Sequence, residues 1–438
     1  MNPTLIGILG IVVMILMFLT RMPVSYVMAL MGFLGFSVIV SFQGGLNLLA
    51  KDLYAVFSSY DLTTIPMFIL MGQLAFNSGI SRRLYDTAYK YLGSTRGGLA
   101  IATVSACTAF GAVCGSSPAT AATMATVGLP EMRRFKYADE LAAGAVASGG
   151  GLGMIMPPSV VLLVYGVLTE QSIGKLFVAG IVPALLVTLL FCVTVLVWCT
   201  LAPDQGPRGE RFSWRARLVS LRDLGETMAV FLLVMSGLFF GWFTPTEAAA
   251  IGVFGVLGVS LIRRQLSWER FVASLYETLR TSCMVMMLIG GAVVFGKFLA
   301  VTRIPFNIAG WIEGLNMAPW VILSLVVLVY FLGGCFMDSL ALVMLTVPIF
   351  FPLITGLGFD PIWFGVTIVM VTEMGVITPP VGINVYVVYG VALTLKQNVA
   401  LESIFKGIMP FLLAVFVGIV LITLFPQLVL FLPDLMYQ

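Results

Sequence analysis

A chain of 438 residues that is 60% hydrophobic and only 10% charged, with a mean hydropathy of +1.07, is excluded from the soluble globular class and reads as a polytopic helical membrane protein. Its net charge of +3 does not suggest nucleic acid, and the absence of histidine rules out a Ser/His/Asp triad and the commonest metal ligand. No G-x-x-x-x-G-K-[ST] run supports ATP hydrolysis, so an enzyme is not expected and energy for any work across the membrane would have to come from an ion gradient or another subunit.

At roughly 20 residues per span, about ten to a dozen membrane elements would use most of the length. Leu5–Leu19 lacks a basic leader and is expected to be a first span, not a cleaved signal. Arg21 and Pro23 separate it from a second, Val24–Phe42. Leu46–Ser59 carries Lys51 and Asp52 and is amphipathic, which predicts an interfacial helix. Ile65–Ile80 is the next span, followed by a loop with Arg82, Arg83, Lys90 and Arg96.

From Gly97 to Pro130 no residue is charged, and the middle, Gly111 to Pro118, is small and turn-prone. Cations at both ends (Arg133, Arg134 and Lys136 on the far side) place both on the cytoplasmic face, which predicts a re-entrant hairpin over 97–130. Next comes a span, 141–169, interrupted by Gly149-Gly-Gly-Leu-Gly153 and Pro157-Pro158, residues that cannot continue a straight helix. Leu176–Leu201 is long and uninterrupted, and residues 202–224, with Arg208, Arg211, Arg215, Arg217 and Arg222, read as a cytoplasmic basic linker.

The second half repeats these features. Leu275-Tyr276 matches Leu53-Tyr54 within a second amphipathic stretch, Leu266–Arg280, and Cys283–Val301 is a span containing Lys297, which either attracts an anion or snorkels to an interface on its long stem. Arg303 reads as a loop charge at its end. A second hairpin is predicted over 318–352, with its tip near Gly333–Asp338. A second broken helix over 362–394 contains Glu373-Met-Gly-Val-Ile-Thr-Pro-Pro380. Ser117 and Pro157 recur as Ser339 and Pro379. The loops beside the first hairpin hold seven cations and those beside the second only Arg303, with Glu313 and Asp360. Equivalent loops therefore lie on opposite sides, the mark of an inverted repeat: 1–201 and 225–438 about the linker, with both termini outside and Arg21 inside.

Irregular backbone inside a bilayer is tolerated only where protein or a watery cavity covers it, so paired breaks mark a transport site. Ser116, Ser117 and Thr120 at one tip, Asp338 and Ser339 at the other, and Thr372 and Thr378 beside the second break supply hard oxygen ligands of the kind that coordinate sodium. Half-helix N-termini aimed at the same point favour an anion. Asp338 and Glu373 are costly in a membrane and are expected to be functional, Glu373 as an ion-coupling group. The six cysteines and Met284-Val-Met-Met287 read as packing residues.

Four stretches in order, CGSSPATAAT (114–123), GGGLGMIMPPS (149–159), GGCFMDSLAL (333–342) and EMGVITPPVGINVYV (373–387), resemble the large membrane subunit of tripartite ATP-independent periplasmic transporters, over essentially the whole chain. Pro118 departs from the commonest pattern at the first tip. The resemblance implies an all-α elevator-type transporter of the bacterial inner membrane, with two re-entrant hairpins and two broken helices. It also implies sodium-driven uptake of an organic acid anion delivered by a soluble periplasmic binding protein, with a separate small four-helix membrane subunit docking on the amphipathic stretches and long outer spans. By position, one sodium site takes Ser116, Ser117, Gly153 and Met156; the other takes Gly334, Asp338, Thr372, Gly375 and Thr378. Ser117, Thr120, Ser339 and Asn384 are expected at the substrate; no cofactor or other metal is expected. The competing readings are a free-standing sodium- or proton-coupled carboxylate symporter and, from another class, an ion channel.

Overall fold

The computed structural model describes residues 2–436 apart from 19, 21, 305, 306, 308, 309 and 311–316, so Arg21 and Glu313 of the charge pattern lie outside the described residues. Nineteen α-helices and no strands occur among the described residues. The first ten are α1 (Pro3–Phe18), α2 (Val24–Ile39), α3 (Phe42–Phe57), α4 (Thr64–Asn77), α5 (Ile80–Leu92), α6 (Gly98–Cys114), α7 (Ser117–Arg134), α8 (Asp139–Ile155), α9 (Val160–Thr169) and α10 (Ile173–Leu201). The rest are α11 (Trp214–Phe239), α12 (Pro245–Ile262), α13 (Trp268–Thr302), α14 (Pro319–Gly334), α15 (Ser339–Gly356), α16 (Pro361–Ile377), α17 (Ile383–Thr394), α18 (Leu401–Leu424) and α19 (Gln427–Asp434).

Two helix pairs, α6–α7 and α14–α15, turn back on themselves over the stretches expected to be hairpins, and two more, α8–α9 and α16–α17, are interrupted helices. By length and composition, six helical stretches among the described residues are able to cross a membrane, and α3 with α4 adds a seventh, bent by 57°. The shorter apolar helices, of 10 to 17 residues, include both first arms of the hairpins and both arms of the second broken helix.

Two helices form the centre. Every residue of α8 from Leu141 to Ile155 is buried, and α16 is buried from Ile362 to Ile377 except at Met374. A helix apolar all round belongs inside a larger body, and small residues let others approach it closely. Gly144 of α8 does this against Gly407 of α18, where an added methyl would lie 2.5 Å from a backbone carbonyl carbon. A second body packs α13 along α2, with α1, α3 and α4 beside it, while α12 and α11 extend it.

The structure corrects several expectations. Leu266–Arg280 is not a separate interfacial helix: with the following span it makes α13, 35 residues long, because nothing between Arg280 and Cys283 breaks a helix. Its first-half counterpart bends after Ser58, where a serine pair and the turn at Asp61–Thr63 intervene. Lys297 does not merely snorkel; its Nζ pairs with the buried Asp52 carboxylate of α3 at 2.5 Å. The basic stretch 202–224 is part helix, since α11 begins at Trp214 behind the Ser213 cap. Its earlier part is stitched to the core: Gly97 N–H donates to the Gly206 carbonyl at 2.9 Å, and the Tyr137 hydroxyl to that of Pro207 at 2.8 Å. Of the cysteines read as packing, Cys283 is exposed and Cys192 half-buried, while the other four are buried.

Candidate transport site

Each hairpin tip sits against the break that follows it in the chain. At the first, α6 ends on Gly115 in the left-handed region (φ 65°), a conformation glycine adopts freely, and the chain needs only Gly115 and Ser116 to reverse. Pro118 lies in the first turn of α7, where a missing N–H costs nothing. The Val160 N–H, just past Pro157-Pro158, donates to the Gly115 carbonyl at 3.4 Å. At the second tip, Cys335 to Asp338 make the turn, and the Val381 N–H, just past Pro379-Pro380, donates to the Cys335 carbonyl at 3.3 Å. Both Pro-Pro bonds are cis. The same junction is thus built twice, from different residues.

The glycines contribute differently from what their helix-breaking character predicts. Gly149 to Gly153 lie inside α8 and Gly375 lies inside α16; the backbone leaves the helix only at Met156 and at Thr378. These glycines make close contacts. A methyl on Gly111 would stand 2.6 Å from Cα of Gly153, and one on Gly375 would stand 2.6 Å from Cα of Gly334. The hairpins therefore reach the broken helices backbone to backbone.

A cavity of about 310 Å³ opens between the tips. Its lining includes Gly115, Ser116, Ser117 and Pro118 from the first tip and Asp338, Ser339 and Leu340 from the second. Gly72 and Gln73 of α4 and Thr281 and Met284 of α13 face it from the other body. Met284, read from the sequence as packing, is a wall of this cavity instead. Gln73 and Thr281 carried no sequence signal, because a lone polar residue in a span is usually a helix contact.

The expected ligand sets divide. The Ser116 carbonyl and Thr120 both stand against Gly153, with Ser117 one residue away, whereas Met156 contributes the first extended residue of the break. In the second half, Gly334, the Thr372 carbonyl and Gly375 come together, while Asp338 lies at the cavity and Thr378 opens the break. Thr372 and Thr378 hydroxyls donate back to the Val369 and Met374 carbonyls, at 2.9 and 2.6 Å. Of the four residues expected at substrate, Ser117 and Ser339 line the cavity, but Thr120 and Asn384 are fully buried behind it. The Asp338 carboxylate caps α15, accepting from the Leu340 N–H at 3.0 Å, and the residue as a whole is exposed.

Asn384, in the first turn of α17, donates to the Ser117 hydroxyl at 2.7 Å and to the Ala147 carbonyl of α8 at 3.2 Å. A residue of the second break thereby holds the first tip. Glu373 is 2% exposed, faces Ser117, and packs its carboxylate where a side chain on Gly151 would be.

A model of the family described as the tripartite ATP-independent periplasmic transporter, DctM component, matches residues 11–428. This chain belongs to that family. It is 36% identical to the C4-dicarboxylate TRAP transporter large permease protein DctM of Pseudomonas aeruginosa, over 88% of this chain and 89% of that one. It is also 31% identical to the sialic acid TRAP transporter large permease protein SiaM of Vibrio cholerae, over 91% and 92%. The crystal structure of the Alcanivorax borkumensis YdaH transporter has a similar fold, with a TM-score of 0.67 over 98% of both chains at 14% identity. This large permease is thus a multi-pass membrane secondary transporter and not an enzyme.

Proposed function

We propose that this chain imports an organic acid anion across the bacterial inner membrane by sodium-coupled elevator movement, receiving the anion from a periplasmic binding protein. The observation that carries this reading is the cavity. Its floor is the two tips of one helical body, and its wall is α4 and α13 of another, so a displacement between the bodies carries the floor past the wall. The two halves, 1–201 and 225–438, then act as inverted repeats around a cytoplasmic linker. The N-termini of α7 and α15 converge at the cavity and favour a negative charge there. Sodium takes the oxygens of Ser116, Ser117 and Gly153 with the Met156 turn on one side, and of Gly334, Asp338, Thr372, Gly375 and Thr378 on the other. Ser117 and Ser339 meet the anion, and Thr120 and Asn384 support the first tip from behind. The names of relatives point to C4-dicarboxylates and sialic acid as substrate classes to try first.

A separate small membrane subunit is part of this reading, with the exposed apolar faces of α3 (Tyr54, Phe57) and α13 (Trp268, Tyr276, Leu279) as its dock. The test is uptake into proteoliposomes that contain the chain with its small subunit, with and without binding protein loaded with the labelled anion, under an inward sodium gradient. Uptake that needs both the gradient and the binding protein is expected. Uptake of free anion without binding protein would favour a free-standing symporter, and conduction without accumulation would favour a channel.

A further inference from the structure

Behind the first tip lies a polar group that the cavity does not use. Asn384 spends both amide hydrogens, on the Ser117 hydroxyl and the Ala147 carbonyl, so its Oδ1 points elsewhere and has no partner. The Glu373 carboxylate, with only the Ser117 hydroxyl beside it, and the Ser148 hydroxyl are also buried with no well-formed hydrogen bond. The residues that bear these atoms are neighbours along α8. Ala147, Ser148 and Gly151 lie on one face of α8, by the three- and four-residue spacing of a helix. Asn384 reaches the Ala147 end of that face, and Glu373 packs against Gly151. Ser117, the acceptor from Asn384, faces the same carboxylate. Four elements (α7, α8, α16 and α17) thus converge, and none contributes a cation to Glu373 among the described residues.

A buried carboxylate without a counter-charge is among the most costly groups a protein can hold. We infer that Glu373, the Asn384 Oδ1 and Ser148 form an additional site for a sodium ion, buried behind the tip, with Ser117 standing between it and the cavity. The inventory favours a cation over a proton. A single proton supplies one donor, whereas, even with the Ser117 hydroxyl beside the carboxylate, a carboxylate oxygen, the amide oxygen and the Ser148 hydroxyl are left without partners, and one hard cation engages oxygens of all these types. Such an ion would join the second break, which carries Glu373 and Asn384, to the first tip through Ser117, so occupancy would be felt where the anion sits. This inference rests on the sodium-coupled reading above.

The experiment counts sodium ions bound per purified full-length chain by equilibrium binding of radioactive sodium, and follows thermal unfolding in sodium against choline. Glu373→Gln is expected to bind one ion fewer than wild type, to unfold at a higher temperature than wild type in choline, and to gain less from sodium. Asp338→Asn is expected to lose a different ion, so the double variant should lose two. Ser148→Ala, which leaves the carboxylate in place, is expected to weaken sodium affinity several-fold with the count unchanged at saturation. An unaltered count in Glu373→Gln overturns this site alone and leaves the tip sites standing. A stability difference between the two that depends on pH and not on sodium would assign a proton there, also overturning it. Absence of any sodium binding in wild type would instead overturn the sodium coupling of the proposed function, and this site with it.

Discussion

The first hairpin tip turns in two residues and the second in four, and the shorter one is much more firmly held. Gly72 of α4 packs onto the Cys114 backbone, Val160 donates to Gly115, and Asn384 reaches across from the other half to Ser117. The second tip has the matching bond from Val381 to Cys335, but Phe336 and Asp338 are exposed, and the Asp338 carboxylate is spent on its own helix. One tip therefore presents hydroxyls on a fixed frame, and the other presents a carboxylate on a freer one. If the two halves share a transport cycle, the second tip is the one whose position an ion or anion can most readily change, since fewer bonds must be given up.

Asn384→Ala should produce the largest effect, because it removes what makes the first tip the fixed one. It removes the bond that the Ser117 hydroxyl accepts from the second half and the second bond to the Ala147 carbonyl, which keeps its own helical donor, at roughly 1 kcal/mol for each bond. The expected outcome is a clear drop in thermal stability and a loss of uptake exceeding about tenfold, the equivalent of ~1.4 kcal/mol. Wild-type uptake in this variant would erase the distinction between the tips.

Next are the glycine contacts, which test whether both tips depend on backbone approach. Gly375→Ala would bring a methyl to 2.6 Å from Cα of Gly334 and 2.9 Å from the Phe331 carbonyl. Gly153→Ala would meet Thr120 and stand 3.0 Å from the Ser116 carbonyl. Overpacking of this kind costs about 1–3 kcal/mol. With the second tip freer to shift, Gly375→Ala should lose less stability than Gly153→Ala, as thermal unfolding would reveal. The reverse order would make the second tip the rigid one.

Asp338 separates capping from ion chemistry. Asp338→Ala removes a helix cap worth about 1 kcal/mol, whereas Asp338→Ser keeps a capping oxygen and discards the charge. Unfolding should be restored nearly to wild type in Asp338→Ser, while the sodium dependence of uptake remains weakened in both. If serine restored both, the carboxylate would be a cap and nothing more.

Much of this arrangement was legible in the sequence, for reasons that explain what was not. Pro-Pro has one meaning inside a span, since proline cannot donate the helical bond, and both breaks fall at their proline pairs. Glycine has two. It ends helices and also lets helices touch, and at Gly149–Gly153 and Gly375 only the second applies. Distinguishing them requires the neighbour, which the one-dimensional pattern does not contain. The same limit hid the pairing of Lys297 with Asp52, which are 245 positions apart, and the cavity wall of Gln73, Thr281 and Met284. The continuity of α13 was missed because its amphipathic first turns matched an interfacial pattern, and that pattern does not say whether the next residue stays helical.

The smallest expected effect concerns the pair of serines that begin α7 and α15. Ser117 accepts a hydrogen bond from Asn384, whereas the Ser339 hydroxyl is buried at the cavity with no partner. Deleting an unpartnered buried hydroxyl removes a desolvation penalty and breaks nothing, so Ser339→Ala should leave stability unchanged or raise it slightly. Ser117→Ala should lower it by roughly 1 kcal/mol. The transport readout should separate them in the other direction. A hydroxyl kept without an internal partner is free for the anion, so Ser339→Ala is expected to raise the concentration of loaded binding protein needed for half-maximal uptake several-fold while the maximal rate holds. Should Ser339→Ala instead destabilise the protein as Ser117→Ala does, its hydroxyl has a structural partner and the second tip is tied down as the first is.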